Sequence, residues 1–197
     1  MGEAEQVYFF VSRKIELLNR GDPGSKALLA KLRRGVGKYL ADVPEIWEII
    51  LSDMPDEFFR GLSISEPTRA EMAIQTALTL YALHQQGNEK QMDVKSDRDS
   101  RRTFAVATRR LITDDNAETI KKRFDKVITA SDLTELSQHA RGLIQIMKAA
   151  SKPIQIDYSQ FAKDLYYFQF PEYKKMVLLS WGRDFYKVSI KKEEDSE

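Results

Sequence analysis

The spacing of the apolar residues constrains this chain more than anything else in it. Leu133, Leu136, Ala140, Leu143, Met147 and Ala150 recur at three- and four-residue intervals, the repeat of one face of an α-helix. Ile120, Phe124, Val127 and Ile128 follow the same rule at i, i+4, i+7 and i+8. The strand pattern, strict alternation rich in β-branched residues, is almost absent. An all-α fold is expected. The 197 residues suffice for one compact domain or two small ones, with most apolar surface buried and no need of staples. There is no cysteine, which excludes a disulfide framework, a thiol nucleophile and the usual structural zinc sites. The opening "MGEAEQVYFF" carries acids where a signal peptide needs cations. No segment approaches the roughly 18 apolar residues of a membrane span. A soluble, cytoplasmic protein with no membrane contact is the expectation.

Caps and breakers divide the pattern into about nine or ten helices. The first covers 4–20 and ends at Gly21; "GDPGS" turns, and Ser25 caps a second helix reaching about Leu40. Pro44 and Pro55 open short helices at 44–52 and 55–61, and Ser65 with Pro67 starts a long one over 66–86. Residues 87–99, "GNEKQMDVKSDRD", hold only Met92 and Val94 as large apolar groups and read as a linker or mobile loop. Helices resume over 100–112 and 114–129. Ser131 and Asp132, with Glu135 three residues after Asp132, cap the next. Asp157 caps 158–169, and Pro171 opens a last helix to about Tyr186. Two helical bundles are expected, an N-terminal one over 1–90 and a C-terminal one over 100–188. The polar end, 189–197, is expected to fray.

Candidate catalytic chemistry is thin. "RRGVGKY" offers glycines and a lysine, but Leu32 stands where a P-loop needs its first glycine, and Tyr39 where it needs Ser or Thr. His84 and His139 have no ligand partner at helical spacing. His84 falls near a helix end, where an imidazolium would face the last carbonyls. Asp56/Glu57 and Asp114/Asp115 sit in first helical turns, where carboxylates favour the dipole. No G-x-S-x-G occurs. The apolar residues Leu165, Phe168, Leu178, Trp181 and Phe185 keep helical spacing and read as core. No cofactor, metal or small-molecule substrate is expected.

The cations are more informative. The net charge is +1, yet "SKALLAKLRRGVGKYL" (25–40) carries Lys26, Lys31, Arg33, Arg34 and Lys38 and no acid. At 100° per residue from Lys26, the apolar Leu28, Leu29, Leu32, Val36, Tyr39 and Leu40 fall at about 200–320°. Lys26, Arg34, Lys38 and Lys31 fall at about 0–140°, and Arg33 flanks the apolar arc. Three echoes follow. "RRTFAVATRR" sets Arg101 and Arg102 two helical turns from Arg109 and Arg110; Lys122 and Lys126 lie opposite Ile120, Phe124 and Val127; Arg141 and Lys148 edge the Leu/Met face. Acids bunch elsewhere, at Asp42, Glu45, Glu48, Asp53, Asp56 and Glu57 and in the tail. Segregated charge makes a strong local field, and a phosphate backbone is its natural partner. An acidic protein surface is the alternative occupant. No base-reading module stands out, so contacts to phosphate, blind to sequence, are expected. Tyr39 and Tyr8 are candidate stacking residues, and packing in the core is the reading preferred for each.

Three blocks in order resemble the CasB family, the small subunit of the type I-E CRISPR surveillance complex Cascade. They are "LRRGVGK" (32–38), "LYALHQQ" (80–86), and "KRFDKVITASDLTELSQHARGLIQIMK" (122–148) with "IDYSQFAKDLYYF" (156–168) and "WGRDFY" (181–186). The resemblance spans most of 25–187 and weakens over 87–104. It implies an all-α fold in two halves, no catalytic activity, and a second copy of the chain in the complex beside the backbone and large subunits. It also implies a basic surface that holds CRISPR RNA and target DNA and retains the displaced, non-target strand. By motif match, Arg33, Arg34, Lys38, Lys122, Arg123 and Arg141 have the strongest claim to contacts. The alternative is a pure scaffold whose basic helix docks on acidic proteins.

Overall fold

In the computed structural model, residues 1–59, 66–97 and 100–186 are described. The expected cap Ser65 and the tail 187–197 lie outside them. Among the described residues the regular structure is helical: α1 Glu3–Leu18, α2 Pro23–Arg34, α3 Trp47–Leu51, α4 Arg69–Gln85, α5 Phe104–Arg109, α6 Ala117–Ile128, α7 Leu133–Lys148, α8 Tyr158–Phe168 and α9 Pro171–Tyr186. Short 3-10 turns at Leu40–Asp42, Pro44–Ile46 and Asp56–Phe59 connect the first half. The fold is all-α, as the periodicity requires.

α4 is the axis. Ala70, Ala73, Ala77 and Ala82 keep its girth small, and these four with Ile74, Leu78, Leu80 and Tyr81 are fully buried. A helix apolar all round sits in the middle of a bundle, and α1, α2, α3, α7 and α8 all pack on this one. α8 lies against both α1 and α4, and α9 covers α5 and α8. Buried side chains from Ala4 to Phe185 form one cluster. Its aromatic centre is Phe104 stacked on Phe161, with Trp181 beside both and Phe124 stacked on Phe185.

Several helix ends differ from the sequence reading. α2 is capped by Asp22, whose Oδ1 accepts from Ser25 N–H at 2.8 Å; Ser25 itself is buried in the first turn and donates to the Asp22 carbonyl. Pro23 follows as N1, where its missing N–H costs nothing. α2 stops at Arg34 rather than Leu40. A Cβ on Gly35 would stand 2.8 Å from Ile46 Cδ1 and 3.3 Å from Thr79 Cγ2, and Gly37 has φ +73°. The chain therefore turns there, and the indole N–H of Trp47 holds the Leu40 carbonyl at 2.8 Å. α4 begins at Arg69 with a capping box between Thr68 and Glu71. α5 is only Phe104–Arg109, capped by Thr103, so Arg101 and Arg102 precede it. The caps at Asp132 and Asp157 and the opening at Pro171 are where the sequence places them.

Residues 92–96 are tied down rather than loose. Met92 is buried; Val94 N–H donates to the Ile156 carbonyl and Ile156 N–H to the Met92 carbonyl, which pairs Asp93 with Ile156 in an isolated bridge, and the Asp93 carboxylate accepts from Tyr158 N–H. Asp157 accepts from Ser96 N–H at 2.8 Å. Polar residues read as mobile are here engaged by partners about sixty residues away.

Candidate nucleic-acid interface

α2 and α7 flank α4. The turn that follows α2 (Gly35, Gly37, Lys38) meets the first half of α4, Met72 to Thr79, and the start of α7, Leu133 to Ser137. The start of α2 (Lys26, Leu29) meets the end of α4, Gln85 to Asn88. Lys148, at the end of α7, donates to Gln86 Oε1 at 2.9 Å. α2 thus runs antiparallel to α4 and α7 parallel to it, with α6 packed beside α7. The cations predicted on α2, α6 and α7 stand on helices that follow one another through contacts in the order α2, α4, α7, α6.

The α2 set divides by depth. Lys26, Arg34 and Lys38 are exposed; Lys31 and Arg33 are half-buried. Arg33 borders, with Lys26, a cavity of about 460 Å³ between the ends of α1, α2 and α4. Among the described residues none of the five side chains forms an ion pair or a hydrogen bond. Lys38 lies past the end of α2, so the stripe read at 100° per residue stops at Arg34. Tyr39, placed on the apolar arc, is 45% exposed instead; the turn at Gly37 rotates it out.

On α6, Lys122, Arg123 and Lys126 are exposed while Ile120, Phe124 and Val127 are buried, as predicted. The three cations and Thr119 face Gln138, His139 and Gly142 of α7 across a groove. The Arg123 guanidinium lies over Gly142 of α7, 3.6 Å from where a Cβ would stand, an ordinary contact distance. Lys122 pairs with Glu118 at 2.7 Å, and both side chains are mostly in water, where such a pair holds little energy. Arg123, Lys126 and the exposed Arg141 form no ion pair among the described residues. His139 lies 3.6 Å from Glu135, a turn earlier. Sequence reasoning missed Gln138 and His139 as members of this groove, since the register of α7 against α6 is a tertiary fact with no one-dimensional signal.

The arginines around α5 are engaged differently. Arg101 meets Asp184 at 2.6 Å, and Thr103 Oγ1 donates to the other oxygen of that buried carboxylate at 2.8 Å. Arg102 donates to Gln155 Oε1 at 3.2 Å. Arg109 is half-buried and Arg110 exposed. Burial first, and the charge of Arg102 second, lower the proton affinity of Arg110, which puts those two guanidiniums in each other's field. The shared helical face expected for the four does not form, because α5 begins after Arg102.

His84 is neutral, not the imidazolium expected at a helix end. It is fully buried, bonded through Nδ1 to Tyr158 Oη at 2.9 Å, and desolvation, then the charge of Lys148, lowers it to about 4. Among the described residues no group of three or more His, Asp or Glu is placed to hold a metal ion, and no helix is long and apolar enough to cross a membrane.

A family model described as "CRISPR-associated protein Cse2" matches residues 28–186. The crystal structure of CasB from Thermobifida fusca is similar at 30% identity and TM-score 0.72, over 91% of this chain and 97% of that one. CasB from Thermus thermophilus shares the fold at 21% identity and TM-score 0.64, over 95% and 100%. A chain from a structure titled "CRISPR RNA-guided surveillance complex" shares it at 18% identity and TM-score 0.63, over 93% of each. No curated protein matches by sequence.

Proposed function

Since this chain belongs to the CRISPR-associated Cse2 family, whose solved members are called CasB, we propose that it is a non-catalytic subunit of an RNA-guided surveillance complex. In that role its basic side grips nucleic-acid backbone and stabilises guide RNA, target DNA and the displaced strand of the R-loop. It works beside the backbone and large subunits and a second copy of itself. One observation carries the reading: the cations of α2, with Arg123, Lys126 and Arg141, have no acid to answer them among the described residues. A charged residue left without a partner on a surface gains from an anion outside.

The energetics suit such a role. Exchanging a DNA duplex for an RNA–DNA heteroduplex is nearly balanced, so a few backbone contacts tip it. Holding a flexible single strand needs positive charge spread along a track, which two helices flanking a third supply. Charge reversal of Arg33, Arg34 and Lys38 together is expected to shorten the lifetime of the R-loop in the assembled complex while the subunit still folds and assembles. An unchanged lifetime would overturn the reading. The scaffold alternative, in which the same cations dock on acidic protein, predicts protein crosslinks and no nucleic-acid adducts at residues 26–38.

A further inference from the structure

The turn Gly35–Tyr39, the first half of α4 and the start of α7 enclose a cavity of about 120 Å³. That is well under the ~300 Å³ at which drug-sized pockets begin, so it has room for one flat ring or the end of one side chain. Its apolar wall is Met72, Leu133 and Tyr39. Tyr39 is 45% exposed, and its ring meets no other ring among the described residues.

Two polar side chains more than nine-tenths buried also line the cavity: Gln75, 6% exposed, and Ser137, 8% exposed. Gln75 Nε2 donates to the Lys38 carbonyl at 2.9 Å. That bond fixes the orientation of the amide, because a carbonyl accepts and only the nitrogen end donates. Gln75 Oε1 is therefore the free end. No donor reaches it among the described residues, and the Ser137 hydroxyl is likewise unengaged. Neither atom is sealed from solvent, so a ligand's donor can reach both through the mouth of the cavity. Lys38 stands at the mouth, exposed and unpaired, with exposed Arg34 four residues earlier.

We propose that this cavity receives a single unstacked nucleobase. The ring lies against Tyr39, its amino edge donates to Gln75 Oε1, and its phosphate meets Lys38. The inference rests on the nucleic-acid reading above and deepens it, adding a base contact to contacts otherwise made with phosphate. A partner protein's acidic side chain would bring a second acceptor to Gln75 Oε1, and a small amide would leave the Tyr39 face unused. A flat ring bearing a donor and attached to a phosphate uses all three features. The free acceptor further favours bases with an exocyclic amine over thymine.

The test is fluorescence anisotropy with the full chain and two labelled single strands of equal length, oligodeoxycytidine and an abasic deoxyribose-phosphate strand, at low salt. The base-bearing strand is expected to bind roughly tenfold tighter, the size of one base–aromatic contact, and oligothymidine to fall between the two. Tyr39→Ala and Ser137→Leu should each reduce oligodeoxycytidine to the abasic affinity and leave the abasic strand unchanged. If thermal melting shows that Ser137→Leu does not fold, Thr134→Trp closes the cavity from its exposed rim. Equal, salt-dependent binding of both strands would overturn the pocket and leave the phosphate reading standing. A base preference that survives the variants would also overturn it. Failure of either strand to bind would remove both.

Discussion

Neutralising Arg123, Lys126 and Arg141 together gives a prediction whose size follows from the structure. All three are exposed on helices, and none is paired among the described residues. Each one that meets a phosphate releases a counterion, with a slope of log K against log salt of about −0.7 per contact on single-stranded DNA. Three contacts correspond to about 3 × 0.7 ≈ 2.1 in slope. Referred to 1 M salt, where that contribution vanishes, the loss at roughly 0.1 M is about 100-fold, or about 3 kcal/mol. Alanine is the best helix former, so the triple variant R123A/K126A/R141A should melt no lower than the parent. Arg101→Ala is the internal control. Its guanidinium already holds Asp184 at 2.6 Å, so it has little counterion to release and the slope should not move. It should instead lower the melting temperature, because the Asp184 carboxylate, 4% exposed, loses its charge partner. The assay is anisotropy of a labelled single strand titrated at several salt concentrations. A triple variant with the parental slope would refute the reasoning, and so would an Arg101→Ala protein whose slope falls as far.

Two further outcomes concern stability. His84 is lowered to about 4 from an ordinary 6.5, so between those values the unfolded chain binds a proton that the folded one refuses. Stability is intact above pH 6.5 and lost as pH falls toward 4, by up to about 3 kcal/mol. Asp164 works in the opposite direction, since burial raises it to about 6; urea titrations of wild type and His84→Leu at pH 7.5 and 4.5 therefore isolate His84 by difference, and a constant difference would refute its burial as a neutral group. Gly35→Ala places a Cβ 2.8 Å from Ile46 Cδ1 and 3.3 Å from the Leu32 carbonyl; such overpacking costs about 1–3 kcal/mol, read as a lower urea midpoint with an unchanged slope, and a variant as stable as the parent would show that the turn accepts a side chain.

What the sequence made legible was local. Asp132 with Glu135, Asp157 and Pro171 mark helix starts because cap, first turn and apolar repeat agree within a few residues. The exposed cations and buried apolars of α6 follow from one periodicity. Legibility failed where two local signals competed or a distant residue decided. In "GDPGS" both Asp22 and Ser25 are good caps, and Pro23 is the residue that favours the earlier start. After α2 the chain leaves the helix at Gly37, whose φ is +73°, while Ile46 and Thr79 crowd Gly35, and that crowding no reading of 25–40 contains. Arg101 and Arg102 looked free until Asp184 and Gln155 reached them across the fold. Residues 92–96 looked mobile because their polarity gives no hint that Ile156 and Asp157 hold them.

The near-zero net charge conceals two populations of cation. Lys14 reaches Asp53 at 3.4 Å, Lys163 meets Glu5, Lys95 reaches Asp93 at 3.5 Å and Arg101 meets Asp184, each joining elements far apart in sequence or closing a turn. Those charges are spent holding the chain on itself. A paired charge contributes little field beyond its partner, so the potential outside the protein comes from the unpaired remainder. Part of that remainder, Lys26, Arg34, Arg123, Lys126 and Arg141 among it, is exposed on α2, α6 and α7, and the alanine-rich α4 is thin enough for α2 and α7 both to pack on it. On these neighbours Leu32 of α2 and Leu136, Ala140 and Leu143 of α7 turn inward, and Lys26, Arg34 and Arg141 turn outward. The basic surface is thus a consequence of how the core is built around one helix, and a change that widened α4, such as Ala77→Leu, would disturb that surface without touching a single cation.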